Sequence, residues 1–353
     1  YRSKKTIFVK AFAPLLRRDP PTSPASKASI LNMQSEANLV THHEVMSNGI
    51  KLNVLEVKAH TEEVNHAPGQ EPPGPIPTLV MLHGLRDSAW SLVPIAQRIS
   101  DGKIRVLLLE LRGHGASGHS DAYSINDYIL DLHEVVDQLT QDPVMLFGHS
   151  LGGHIVSKFA ALFPELTKAA ILVEGLGPPK RPNEGDIEQQ MQSLRFMLLN
   201  RLKKKYHPSR ALQSHEEAAN KLRLNNPRML VEEAQRIASH LVKEVGGELH
   251  WVFDSRANSV FVGVNLQTNI NFWRQIKAPV CLISGRLSYE YWAKEMATAD
   301  FDGHFAVNEL EQRSRAFATH EHHWLEYSGH MAHYDEPEKL TQICKHFVFN
   351  LPS

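Results

Sequence analysis

Cysteine is scarce in this 353-residue chain: there are two, Cys281 and Cys344. Two cysteines cannot staple a domain of this size, so its stability must come from a packed core. Cys281 stands in an apolar run and Cys344 in a helical pattern, and both read as buried thiols rather than a disulfide. A dominant charge is also missing. The formal net charge is −1, so nothing in the overall balance points to an electrostatic hold on nucleic acid or an anionic membrane. No apolar run reaches the ~18 residues that a membrane helix needs, so no integral membrane segment is expected. No internal repeat is present, which excludes solenoids and propellers.

What is present is ordinary globular composition, 42% hydrophobic and 22% charged. The first 18 residues carry six basic residues and no acidic one, with Phe8, Phe12 and Leu16 on one potential helix face. Two readings stand, an organellar transit-like segment and a flexible basic tail. Either fits a cytoplasmic or organellar protein. A linker-like stretch, PPTSPASKAS, follows at 20–29. Residues 1–40 are therefore set apart from the folded chain.

Next, HHEVMSNGIKLNVLEV alternates around Asn48-Gly49 and predicts a hairpin. From Thr78 short apolar runs alternate with helical patterns: TLVMLHG, IRVLLLELRGHG, PVMLFGHS, AAILVEG and, after a long gap, PVCLISG and HHWLEYSGH. Continuous apolar runs separated by helices predict an α/β fold, a largely parallel sheet covered on both faces. Nearly every run ends in glycine, histidine, serine or glutamate. Ligands bind at the carboxyl ends of such strands, so these residues are expected at one sheet edge. The gap, 178–275, reads as a helical cap inserted into a core made of 41–177 and 276–353. In it, Gly246-Gly247 is expected to end the helix MLVEEAQRIASHLVKEV.

Gly148-His149-Ser150-Leu151-Gly152 fits G-x-S-x-G between a predicted strand and a predicted helix. Small residues two positions either side of the serine let strand and helix approach. The turn then holds the Ser150 hydroxyl out over the sheet edge as a candidate nucleophile. A serine hydroxyl needs a base. Of 21 histidines, His330 is chosen because it follows the last strand and precedes the final helix; His333 is its local competitor. His149 is expected to point elsewhere, and His83 and His114 to shape loops. HEHHW (320–324) brings no partnering acidic or cysteine set, so it is read as a solvated segment and no metal is expected. For the acid that orients the base, Glu174 at the end of AAILVEG is preferred, with Glu290 as the alternative and Asp300 and Asp302 behind them. The oxyanion donors expected are the backbone amides of Leu151 and Leu85. Arg86 and Asp87 are read as holding the Leu85 loop. Leu194, Phe196, Met197, Leu198, Leu199 and Leu202 are read as packing against the core near the pocket roof, with an acyl-chain pocket as the second reading.

LHGLRDSAW, LELRGHGASGHS, GHSLGGHI, ILVEGLGPP and SGHMAHYDEP, in this order, resemble the α/β-hydrolase superfamily over about residues 42–350. VEGLGPP, HEEAANKLRLNNPRMLVEEAQRIASHLV and GGELHWVFD are similar to the serine hydrolase-like protein family within it. The resemblance implies a mostly parallel eight-stranded sheet with helices on both faces, an inserted cap, and a serine hydrolase, carboxylesterase- or lipase-like, that uses no cofactor. The chain departs from the common pattern at Ser288, where many members carry an aspartate. Some relatives place the acid one strand earlier, which matches Glu174. The function expected is cleavage of a small-molecule ester or related acyl bond through an acyl-enzyme. The alternatives are a catalytically silent binding module of the same fold and a thioester, lactone or carbon–carbon bond hydrolase. Physiological substrate and oligomeric state are not legible in the sequence.

Overall fold

The computed structural model describes residues 40–58, 76–100, 103–181, 186–206, 210–261, 264–298 and 301–351. The basic N-terminal segment, the 20–29 linker, residues 59–75 and Asp300 lie outside the described residues. The chain opens with β1 (Val40–Ser47) and β2 (Ile50–Val57), a hairpin turning at Asn48-Gly49, where both residues have positive φ. This is the left-handed turn that Asn-Gly favours. Then follow β3 (Thr78–Leu82), α1 (Val93–Ser100), β4 (Arg105–Leu109), α2 (Ile125–Leu139), β5 (Val144–His149), α3 (Leu151–Leu162) and β6 (Thr167–Val173). Ser124 starts α2 with a reciprocal capping box to Asp127.

Between β6 and the next sheet strand lie α4 (Ile187–Tyr206), α5 (His215–Asn225), α6 (Val231–Leu241), β7 (Val242–Val245), β8 (Glu248–Trp251), a 3₁₀ helix (Ser255–Phe261) and α7 (Leu266–Trp273). The chain ends with β9 (Val280–Gly285), α8 (Tyr289–Met296), α9 (Glu309–Ser314), β10 (His320–Leu325), α10 (Ala332–Asp335) and α11 (Pro337–Phe349).

Eight strands form one sheet in the order β1-β2-β4-β3-β5-β6-β9-β10. Only β2 runs against its neighbours; from β4 to β10 every pairing is parallel. The period-two alternation of each strand divides the core. Val80, Leu82, Leu107, Leu109 and Leu146 face one layer with Trp273 and Phe159, and Leu79, Met81, Leu108, Met145 and Phe147 face the other with Ile95 and Ile343. Cys281 and Cys344 are free and buried in the second layer, and burial pushes the Cys344 thiol up to about 12.

The 178–275 segment is not all helix. Gly246-Gly247, expected to end a helix, instead forms the turn of the β7–β8 hairpin, with φ of 62° and 84°. Val242 and Val245 are β-branched, and the helix gives way at Leu241 once its Ala234, Ile237, Ala238 and Leu241 face is buried. The hairpin pairs back onto that helix end through Val252 N–H to the Leu241 carbonyl, 2.8 Å. HEHHW is likewise not a solvated segment. It forms the edge strand β10, half-buried, where His322 Nε2 lies 3.0 Å from Ser284 Oγ, and it does meet an acid and a cysteine, since His323 gathers with Glu321 and Cys281.

Candidate active site

Six parallel strands finish at one edge, and the ladder runs one residue beyond β5 and β6. Ser150 N–H donates to the Val173 carbonyl (2.9 Å), and Glu174 N–H donates to the Ile283 carbonyl (2.9 Å). Ser150 is thereby fixed beside the end of β6, and Glu174 beside the end of β9. Both residues adopt positive φ, 51° for Ser150 and 53° for Glu174. Such a backbone costs a non-glycine residue ~1–3 kcal/mol. The elbow is possible only with glycines around it. A Cβ on Gly148 would collide with the Gly152 backbone, and one on Gly152 with the Leu82 carbonyl.

The loop after β10 carries His330 over this edge. Its Nδ1 lies 3.1 Å from Glu174 Oε2, and its Nε2 lies 2.9 Å from Ser150 Oγ. Beside a carboxylate, Nδ1 holds the ring proton, so Nε2 accepts from the serine hydroxyl. The imidazole and the carboxylate are both almost wholly buried. The second Glu174 oxygen accepts the Gly285 amide at 2.7 Å, which locks the carboxylate from the side away from the histidine. Ser150, His330 and Glu174, from three distant segments, thus stand in one hydrogen-bonded line. The other acids stand apart from it. Glu290 lines the cleft but is ion-paired with Arg228 at 2.9 Å, and Asp302 is exposed and bonded to His304. Ser288 is buried at the start of α8.

Several residues whose role the sequence leaves obscure hold this line in place. His149 turns away from Ser150, and its Nε2–H donates to the His330 carbonyl at 2.7 Å. His333, the competitor for the base, sits 3.4 Å from Asp87 instead. Burial works against the Asp87 charge. Hydrogen bonding and attraction from His333, with His83 and His149, outweigh it and hold the carboxyl at about 2. Ser91 and Tyr334 also donate to this carboxylate. Asp87, His149 and His333 bring three ligand-type atoms close together. Their chemistry is that of a buried anion solvated by imidazole and hydroxyl groups.

Tyr291 stacks on the His330 ring, centroids 4.1 Å apart and 9° from parallel, and Trp292 meets it edge-on at 5.1 Å. The sequence signal was the aromatic pair in SYEYW, directly after the β9 terminus.

The loop after β3 is wired by two neutral histidines. His83 Nδ1–H donates to the Gly84 carbonyl (2.7 Å) while its Nε2 accepts the Leu111 amide (3.1 Å). His114 Nδ1–H donates to the Arg112 carbonyl, and its Nε2 accepts the Arg86 amide at 3.0 Å. Each ring uses one nitrogen as donor and one as acceptor, so neither can take a second proton without breaking a bond. Leu85 in this loop lines the same cleft as Ser150 and His330. Leu151 is the first residue of α3, where helix geometry leaves amides without intrahelical acceptors.

The cleft holds about 220 Å³. Its apolar wall comes from Leu222, Leu224 and Leu241 of α5 and α6, and its rim from Arg228, Glu290 and Lys294. Leu194, Phe196, Met197, Leu198, Leu199 and Leu202, expected near the pocket roof, do not line it. They lie on α4, and all but Met197 are exposed rather than packed on the core.

Burial also predicts acid lability. It lowers His114 and His154 to about 3, helped by His83 beside the first and by Lys158 and Arg313 near the second. An unfolded chain protonates both near 6.5, so between pH 6.5 and 3 it binds more protons than the native state. Stability is therefore full above pH 6.5 and falls on acidification, by about 2 kcal/mol per imidazole at pH 5. Melting temperature followed from pH 8 to 4.5 is expected to drop steeply below 6.5. His154→Gln is expected to flatten that drop. A flat profile would contradict the burial of these rings as neutral groups.

A family model described as the alpha/beta hydrolase family matches residues 79–343. A serine hydrolase-like protein of Danio rerio is 22% identical over 286 residues, 76% of this chain and 81% of that protein. Protein phosphatase methylesterase 1 of Candida albicans is 27% identical over 161 residues, 44% of this chain and 43% of its own. Among solved structures, the thioesterase domain from the curacin biosynthetic pathway superposes with a TM-score of 0.67 at 19% identity, covering 86% of this chain and 98% of that one. An esterase of Mycobacterium tuberculosis does so with a TM-score of 0.59 at 17% identity, covering 94% and 100%. At these identities the structural likeness speaks for the fold. With most of the chain matched by the family model and the eight-stranded sheet in place, the chain belongs to the alpha/beta hydrolase family.

Proposed function

We propose that this protein is a serine hydrolase that cleaves a carboxylic ester or a related acyl bond. Family membership and the serine hydrolase-like and methylesterase relatives support a hydrolase. The observation that carries the finer reading is the line Ser150–His330–Glu174 at the floor of the cleft.

In this reading Ser150 Oγ attacks the substrate carbonyl carbon while His330 Nε2 takes the hydroxyl proton. The carbonyl oxygen becomes an oxyanion between the amides of Leu151 and Leu85. Glu174 keeps Nδ1 protonated and offsets the positive charge that the ring acquires. Tyr291 lies with its π-face against that same ring, an arrangement that favours the cation. His330 then protonates the leaving alkoxide, which departs as an alcohol and leaves an acyl-Ser150 ester. Water enters, gives a proton to His330 and attacks the acyl carbon. The carboxylic acid leaves, and the proton returns to Ser150.

Leu222, Leu224 and Leu241 favour an apolar acyl chain over a charged one. A panel of p-nitrophenyl esters of increasing chain length tests this. Expected is saturable hydrolysis with kcat/KM rising from acetate to a medium chain. Absence of turnover across the whole panel would contradict the proposal.

A further inference from the structure

The exposed side of α4 has no part in the chemistry above. Its apolar residues recur at Ile187, Met191, Leu194, Leu198 and Leu202, spacings of four, three, four and four, so they share one face. That face is open: the relative exposures are 69%, 65%, 40%, 47% and 52%. Leu199, 54% exposed, widens the same side. Half-buried Met197 and Asn200 lie on a different side of the helix, which packs against the 3₁₀ helix Ser255–Phe261. Scattered exposed leucines are ordinary, but a contiguous stripe over four turns marks an interaction surface.

Charge identifies the kind of partner. In a chain of net charge −1, this single helix carries Arg195, Arg201, Lys203, Lys204 and Lys205 against one acid, Glu188. Arg195 and Lys203 are exposed. Long basic side chains beside an apolar stripe can keep their charges at a headgroup layer while the stems follow the apolar surface inward. The same basicity works against self-association through this face, which would bring two strongly cationic helices together. Among the described residues no helix is long and apolar enough to cross a membrane, so contact would be along a surface.

We propose that α4 docks the protein on an anionic lipid bilayer. The Ile187–Leu202 stripe enters the interface, and the exposed Arg195 and Lys203 meet the anionic headgroups. The 3₁₀ helix under α4 contributes Asn258, whose Oδ1 accepts from Arg86 Nε at 2.8 Å, and Arg86 lines the cleft. This inference stands on α4 alone and does not depend on which bond is cleaved.

The test is co-sedimentation of the full chain with phosphatidylcholine vesicles, with and without phosphatidylserine, together with hydrolysis of a water-soluble ester in the absence of vesicles. Expected is binding to the phosphatidylserine vesicles that weakens as salt is raised and exceeds binding to pure phosphatidylcholine by roughly tenfold or more. M191E/L198E is expected to abolish binding. Arg195→Glu with Lys203→Glu, which alters only exposed charges, is expected to reduce binding roughly tenfold. Both variants should retain the circular dichroism and soluble-ester activity of the parent. Equal binding to neutral vesicles would overturn the proposal. So would no binding to either, or loss of a dimer on M191E/L198E without any vesicle binding by the parent. Binding with no ester hydrolysis would leave it standing while removing the proposed reaction.

Discussion

Ser150→Ala is expected to lower kcat on any p-nitrophenyl ester that the protein turns over by about 10⁴–10⁶. The fold should be unchanged. Ser150 donates its hydroxyl to His330 and its backbone amide to Val173, and the second bond survives the substitution. Alanine at φ 51° is strained to about the same degree as serine, so melting temperature should move little. The effect therefore belongs to chemistry and not to stability. His330→Ala should cost a similar factor. The double variant should be little worse than either single one, because nucleophile and base act as a unit. KM should remain near that of the parent, since Leu222, Leu224 and Leu241 still form the apolar wall. A Ser150→Ala protein with more than a tenth of the parental rate would remove Ser150 from the mechanism.

Glu174→Gln is expected to lower kcat by about 10⁴, whereas Glu290→Gln should stay within a factor of a few. The contrast follows from what each carboxylate touches. Glu174 Oε2 faces His330 Nδ1, and Oε1 accepts the Gly285 amide. The Gly285 bond orients the side chain, so glutamine would keep its oxygen there and turn its NH₂ toward Nδ1. Two donors would then face each other, the imidazole would change tautomer, and Nε2 would point a proton at Ser150 instead of a lone pair. Glu290 is a half-exposed partner of Arg228, which also holds Asp335. Surface pairs of that kind contribute ~0–1 kcal/mol. Loss of activity only in Glu290→Gln would give the acid's part to Glu290.

The centre of the sheet, β3, β4, β5, β6 and β9, was legible because these strands are nearly unbroken apolar runs, each closed by a residue that cannot continue them comfortably. Leu82 leads into His83-Gly84, His149 into Ser150, and Val173 into Glu174. Strand ends are local features, and parallel pairing gathers them at one edge without further information. Glu174 is an example. Its position depends on its backbone N–H donating to the Ile283 carbonyl and its carboxylate accepting the Gly285 amide, both brought alongside by the β6–β9 ladder.

What failed to show in the sequence depends on long-range packing. VKEV continues a helical pattern by spacing, but its β-branched valines and the Gly246-Gly247 turn favour a hairpin, which Val252 anchors to the end of α6. The α4 leucines look like core by composition. Only the position of that helix on the 3₁₀ segment leaves them facing solvent. His149, His333 and Asp87 were hard to assign because chain spacing carries no record of a carboxylate from the β3 loop meeting an imidazole 246 residues later.

The most direct measurement is mass-spectrometric mapping of the adduct formed with a fluorophosphonate, which reports a reactive serine without knowledge of the substrate. The account predicts one adduct, on the peptide containing Ser150, at native pH. It also predicts no adduct in His330→Ala over the same time. Modification of a different serine, or none while the protein remains folded, would contradict it.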